Sequence, residues 1–566
     1  MMNKTLTILL LFAITPGNDL WGQKSEGKRE NIYPAEEMTI HFSQKCVLTG
    51  EAIFFKVYCT SPLYPAEELS RMAYIELVNA ENVSVIREKI LLANGQGTGE
   101  FVIPEKLKTG IYHVLGYTNW MKNFGEGSFF KTPIMVICPE ESFTGNDEKT
   151  AGRLKTPEIR DKENRDAQLT VTPDKNHYST RVKATLKINA EMMAGGALSV
   201  SVAREEPGMY AGMVSGEGNP LQPDSILYLP DYKGIRLTGN LTDSTGSAVT
   251  GEKVVVSFPG QGTDVNSTKT DATGNFHFLL KPNTGHQDLV FTLPHPDLKL
   301  ALEEPFRNGF RVLPSLRSLI PDQDALAFLN EKYAHKQLQE KFKQEYLTRI
   351  PSAGPVKNSD RCFYGEPQQI IRMNEYIKLD SLTEYFWELI PSVRYVKHRG
   401  DFAIFVINPA TLKPYEEAPG VFIDGVLYPD YNKIAAIPVE QVSRIAIIAK
   451  VYYYHDFTFG GIVDIHTRNG DFKSVPVLPG MVRIMYPLGK TPEIRYNTVK
   501  EASRSRMPDL RYLICWDPDI RLNDQGEAVV DFYTSDVEGE YVVQVVGLSS
   551  DGKIMQDSRT ISVRSD

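Results

Sequence analysis

Cysteine is scarce and unpatterned: Cys46, Cys59, Cys138, Cys362 and Cys515 are five in 566 residues, with no CxxC, no CxxH and no tight cluster. An odd, scattered set excludes a disulfide scaffold and a zinc module built on local ligand spacing. Each cysteine is expected to serve as a small buried hydrophobe. Basic excess is also missing, since 62 Lys+Arg face 71 Asp+Glu for a formal net charge of −9. No positive surface for nucleic acid is therefore expected. Beyond residue 22 no apolar run approaches the roughly 20 residues a spanning helix needs, so the reading expects no transmembrane segment in the mature chain.

Catalytic signatures are lacking too. The ten histidines form no HExxH, HxH or HxxE pair, which removes the local ligand sets of metallo-hydrolases. Gly212-Met213-Val214-Ser215-Gly216 places its serine one position late for a nucleophile elbow. There is no phosphate-binding GxxxxGK[ST] run, and Gly260-Gln261-Gly262 has no third glycine. Asp424, Asp430, Asp456 and Asp464 are read as turn and strand-end formers rather than as a pair of catalytic acids. The expectation is no catalytic residue, no metal ligand, no cofactor and no enzyme.

The chain that is there is dominated by strands. Residues 1–22 read as a secretory signal: Lys4 supplies the charge, residues 6–15 (LTILLLFAIT) the apolar stretch, and Gly22 a small residue at the cut. Residues 36–138 carry about seven short alternating segments at intervals typical of a β-sandwich. Residues 139–166 are charged and almost free of large apolar side chains, a linker. In 167–230, Val182, Ala184, Leu186 and Ile188 alternate with polar residues, as do Leu198, Val200 and Val202, which makes a second β unit.

A third β unit occupies 234–303, where the turn at Asp271 and Gly274 precedes Phe276 and Phe278 on one face. Residues 304–364 form a helical connector whose helix, over 322–346, has one packing face. Residues 365–472 mix a short helix opened by the capping box Ser381-x-x-Glu384 with several strands, an α+β unit. Five prolines make 473–510 an extended connector, and 511–566 a small C-terminal β unit.

Three units carry resemblances. Leu48-Thr49-Gly50-Glu51 with Gly110-Ile111-Tyr112 and Tyr117-Thr118 resembles a macroglobulin-type sandwich of the alpha-2-macroglobulin superfamily. The Cys-Gly-Glu-Gln run of that family's thioester is absent, so covalent proteinase capture is not implied. Gly239-Asn240-Leu241-Thr242-Asp243 with Thr270-Asp271-x-x-Gly274-x-Phe276-x-Phe278 resembles the carboxypeptidase regulatory-like domain, which in its family is non-catalytic. Phe422-Ile423-Asp424-Gly425-Val426 with Gly460-Gly461-Ile462-Val463-Asp464-Ile465-His466-Thr467-Arg468 is similar to the plug domain of TonB-dependent receptors. Fewer than a hundred residues follow Phe472, while a barrel of about 22 strands needs roughly 220. The expectation is a plug-like unit without its barrel.

The fold class expected is mainly β: tandem macroglobulin- or immunoglobulin-like sandwiches with one α+β plug-like domain. The resemblances together point to an exported, non-enzymatic protein of a Gram-negative envelope, periplasmic or associated with the outer membrane. Two alternatives stand beside this: an envelope hydrolase, or a barrel-less relative of a TonB-dependent receptor. Tyr452, Tyr453, Tyr454 and Phe457, read as a loop, and Trp120 in a Gly-rich loop are the candidate contacts. They would meet a protein partner, a neighbouring domain of the same chain or a glycan.

Overall fold

The computed structural model describes residues 33–140, 169–193, 196–206, 223, 225–260, 265–281, 285–307, 323–342, 348–350, 362–398, 400–489, 493–495 and 506–565. The secretory segment, nearly all of the 139–166 linker and the 212–216 run lie outside them. Residues 34–566 form one compact unit, mainly β, in which sandwiches and a mixed sheet share cores.

The first sandwich pairs a three-stranded sheet (Glu37–Phe42, Ala52–Thr60, Gln96–Val102) with a five-stranded one (Cys46–Leu48, Phe130–Ile137, Gly110–Tyr117, Met72–Val78, Ser84–Leu91). Cys46–Leu48 is an eighth strand, pairing parallel with Met135, Val136 and Ile137. Its three residues are all buried, so it has no polar alternation to announce it. Glu51 returns to its own turn, accepting from the Leu48 N–H at 2.9 Å. Tyr112 donates to the Lys108 carbonyl at 2.9 Å, a tyrosine fastening the start of its strand to the approach.

The second sandwich is discontinuous. Ala197–Arg204 lies between Leu513–Arg521 and Gly539–Leu548, and Lys183–Asn189 pairs with Glu527–Tyr533. Residues 167–230 and 511–566, which the sequence reading separates, thus build a single core in which Leu198, Val200 and Val202 meet Ile514, Val543 and Val545. Alternation identifies a strand's apolar face but not the strand that will cover it, and neither piece has enough strands to close two layers.

The third unit packs Asn275–Leu280, Ile235–Thr242 and Lys299–Leu302 against Val265–Lys269, Lys253–Ser257 and Gly285–Thr292. A seventh strand, Met481–Gly489, joins from the stretch taken as an extended connector. It is an edge strand, and Pro487 sits where the register shifts between Gly285 and His286. Proline is tolerated there because an edge strand need not donate on its outer side. Asp271 Oδ1 accepts from the Thr273 and Asn275 N–H groups at 2.8 and 3.0 Å, and Gly274 takes φ +80°. One continuous apolar core runs from the first sandwich into this unit through Tyr74, Phe306, Tyr486 and Leu488.

Helix Gln323–Lys341 lays Phe328 and Leu329 on a cluster with Leu48, Ile137, Leu510 and Tyr512, bridging both sandwiches. Of the expected 322–346, residues 322 and 343–346 lie outside the described ones; Leu338 and Phe342 are exposed because that cluster ends at Tyr333.

The mixed unit has a five-stranded sheet in the order Gln369–Arg372, Val442–Ile448, Ile462–Thr467, Gly420–Ile423, Val426–Leu427. One face, including Val463, Ile465, Ile445 and Ile447, is covered by helix Leu382–Leu389 and the hairpin Val393–His398/Asp401–Val406. Ser381 caps the helix by accepting from the Glu384 N–H at 3.3 Å, and the Glu384 carboxylate reaches back to the Asp380 N–H at 3.0 Å. The opposite face, including Phe422, Ile448 and Ile462, meets Val255 and Val265 of the third unit.

Candidate functional site

The aromatic run at 452–457 is a hairpin rather than a loop. Tyr452–Tyr454 pairs with Phe457–Phe459 across a turn in which His455 has φ +52°. Strand alternation then divides the tyrosines. Tyr452 and Tyr454 turn inward, half-buried, onto Phe363, with ring centroids 6.1 and 4.7 Å from it. Tyr452 also donates its hydroxyl to the Phe363 carbonyl at 3.0 Å. Tyr453 turns outward and is 73 % exposed.

The same hairpin leans on the third unit. Lys253 Nζ lies 4.5 Å from the Phe457 ring centroid and 3.0 Å from Asp456 Oδ2, and Ser267 Oγ donates to Asp456 Oδ1. The hairpin thus touches the third unit of the same chain through Lys253 and Ser267. Trp120 begins a short 3₁₀ turn, Trp120–Phe124, is half-buried, and donates its indole N–H to the Pro34 carbonyl at 2.8 Å. Asn123 in that turn holds the Leu227 and Tyr228 N–H groups, each at 2.9 Å, so the turn pins an incoming segment.

The four aspartates near these strands divide three to one. Asp424, at φ +50°, accepts from the Thr467 N–H at 2.7 Å, the Thr467 hydroxyl at 2.6 Å and the Phe472 N–H at 2.9 Å. Asp430 caps helix Tyr431–Ile434, and Asp456 makes the Lys253 contact. Each of these three has a structural task.

Asp464 differs. It lies two residues before His466 on one strand, so both side chains occupy the same sheet face. Cys362 arrives from the end of the helical connector through a tight bridge to Gly365. Ligand atoms of Cys362, Asp464 and His466 all lie within 4.8 Å of one another. Tyr364, from the same bridge, donates its hydroxyl to Asp464 Oδ2 at 2.7 Å. Burial disfavours charge on both Asp464 and His466, but their proximity outweighs it, holding the carboxyl low and pushing the imidazole up to about 10.

The reading of every cysteine as a buried hydrophobe thus departs from the structure at Cys362, which is half-buried while the other four are buried. The expectation of no metal-ligating set meets a grouping suited to a cation. Cys362 stands far in sequence from Asp464 and His466, so no local spacing could have revealed the set. The only sequence signal was the isolated His466 two positions from Asp464.

Exposed apolar side chains also escaped the reading. Trp387, on the helix of the mixed unit, is 62 % exposed and donates its indole N–H to the Tyr395 carbonyl at 2.7 Å. On the adjoining hairpin Val396 and Phe405 face outward, Phe405 opposite Arg394.

No protein-family model matches the chain, and no curated protein matches it. Solved structures similar to it include a Salmonella alpha-2-macroglobulin reacted with methylamine, at 11 % identity and TM-score 0.24, matched over 94 % of this chain and 40 % of that one. The native conformation of E. coli alpha-2-macroglobulin is similar at 10 % identity and TM-score 0.24, over 95 % and 40 %. The Yersinia pseudotuberculosis adhesin InvE follows at 13 % identity and TM-score 0.13, over 47 % and 57 %. The chain spans less than half the length of those macroglobulins. These superpositions are too loose to carry a conclusion, and the sandwiches stand on the strand pairings described above. Among the described residues no helix is long and apolar enough to cross a membrane.

Proposed function

We propose that the protein is a non-catalytic, exported envelope protein that works as a binding or scaffold component, with its partner surface on the mixed unit. The observation that carries this reading is the exposed apolar set Trp387, Val396 and Phe405 on a layer whose inner side is already packed. Both faces of the unit's main sheet are covered by the chain's own residues, so the surface left for a partner is the outside of the covering layer. Large exposed aromatic side chains grouped on a folded unit mark contact surfaces. The plug-like resemblance fits a place at an outer-membrane assembly, where the unit would dock as a freestanding module.

The test is co-purification from detergent-solubilised envelopes with the wild-type chain and with Trp387→Ser/Phe405→Ser. The reading expects a defined protein partner that is lost from the double variant while its melting temperature is retained. Equal recovery of the same partner by both chains would place the contact elsewhere, with Tyr453 the next position to change.

A further inference from the structure

We propose that Cys362, Asp464 and His466 form a zinc site that fastens the end of the helical connector to the sheet of the mixed unit. The inference is independent of the partner surface and would stand if that reading failed.

The donor set is the first ground. One thiol, one imidazole and one carboxylate are the three ligand types zinc takes, and a thiolate among them selects against magnesium and calcium. Their ligand atoms already gather within 4.8 Å. Two nitrogen or oxygen donors on one tetrahedral ion stand roughly 3.3 Å apart, and a sulfur and a nitrogen roughly 3.6 Å. Small side-chain rotations therefore bring all three onto one ion.

The unsatisfied polar atoms are the second ground. Asp464 is 1 % exposed, and its Oδ1 has no hydrogen-bond partner. His466 Nε2 is likewise buried without one. It stands 3.1 Å from Asp464 Oδ2 as its ion-pair partner, so the carboxylate oxygen left over is Oδ1. That separation is also close to the spacing of two donors sharing one ion. An unpaired buried carboxylate oxygen costs roughly what a lost hydrogen bond to a charged group costs, so native proteins supply a partner.

The surroundings supply the rest. Tyr364 holds Asp464 Oδ2, the outer contact that orients a ligating carboxylate and leaves its other oxygen free for the metal. Strand geometry fixes Asp464 and His466 on one face, and the Cys362–Gly365 bridge fixes the thiol. Three protein donors leave a fourth tetrahedral position, which water can fill because Cys362 and His466 are only partly buried.

The experiment titrates the reduced full chain with zinc against a competing chromophoric chelator, for the wild type, Cys362→Ser, His466→Gln and, as a control, His41→Gln. The expected result is one tightly held zinc per chain, with affinity lowered about tenfold or more in the Cys362 and His466 variants and unchanged in the His41 variant. Binding well below one equivalent, or equal affinity in all four chains, would overturn the proposal. A second measurement needs no substitution. Cys362 is the most accessible cysteine, so zinc should slow its alkylation in the native chain about tenfold or more, and alkylation unaffected by zinc would also overturn the site.

Discussion

Two histidines, one buried and one partly buried, sit at two joints of this molecule and are treated in opposite ways. His41, 1 % exposed between the first and second sandwiches, has both ring nitrogens engaged, with Ser199 Oγ at 2.7 Å and Ser201 Oγ at 3.1 Å. Tyr58 extends the network to Ser199 and to the Val546 carbonyl, each at 2.8 Å. Trp516 packs its ring 5.2 Å from that of His41. His466, at the joint between the connector and the mixed unit, is ion-paired with Asp464 Oδ2 at 3.1 Å, and the other oxygen of that buried carboxylate, Oδ1, has no hydrogen-bond partner. A satisfied buried polar group is a fastening, and an unsatisfied one asks for a ligand. The difference lies in the partners and not in the residue type.

The largest effect that would test the closed joint is Trp516→Ala. Trp516 is 1 % exposed in a cluster with Phe54 and Leu513, and its truncation is expected to cost about 3–5 kcal/mol, read by urea unfolding. A loss below about 1 kcal/mol would mean that the sandwiches are held by other contacts.

The second test is pH. Burial, aided by Lys45, depresses the His41 pKa to about 3. The folded state therefore binds fewer protons than the unfolded one below the unfolded pKa of about 6.5. The stabilisation is fully present above that value and is lost as pH falls, at about 1.4 kcal/mol per unit, reaching about 3 kcal/mol by pH 4. His41→Gln should flatten the stability profile between pH 6 and pH 4. Parallel profiles for the two chains would show that His41 does not titrate in that window.

A turn remote from both histidines serves as a control in which geometry alone decides. Gly274→Val places a β-branched residue at φ +80°, and a Cβ there would stand 2.9 Å from the Leu241 carbonyl. A loss of about 1–3 kcal/mol is expected, measured by thermal melting and independent of zinc. An unchanged melt would contradict the strain.

The smallest effect is Tyr453→Ser. Its exposed ring should change stability by less than about 0.5 kcal/mol, while Tyr454→Ser, which strips a ring from the Phe363 cluster, should cost more. Equal melts would erase the inward and outward division of the hairpin.

How far the sequence carried follows the same line between local and distant partners. Alternation in Val182 to Ile188 and in Leu198 to Val202 showed strands and faces, because a strand writes its own burial in every second residue. It could not show that 511–566 completes that sandwich, since nothing in either run names the other. The five prolines of 473–510 were read as an extended connector, yet Pro487 lies in an edge strand where its missing N–H costs nothing. Tyr452 and Tyr453 looked alike as letters, and only pairing with Phe459 and Thr458 separated core from surface. The group of Cys362, Asp464 and His466 was the least legible, because Cys362 joins the Asp464–His466 pair through tertiary structure alone.

The most direct measurement is zinc-edge X-ray absorption on the loaded full chain. The account predicts one sulfur at about 2.3 Å with nitrogen and oxygen at about 2.0–2.2 Å, the sulfur shell disappearing in Cys362→Ser. A shell of nitrogen and oxygen alone in the wild type would contradict it.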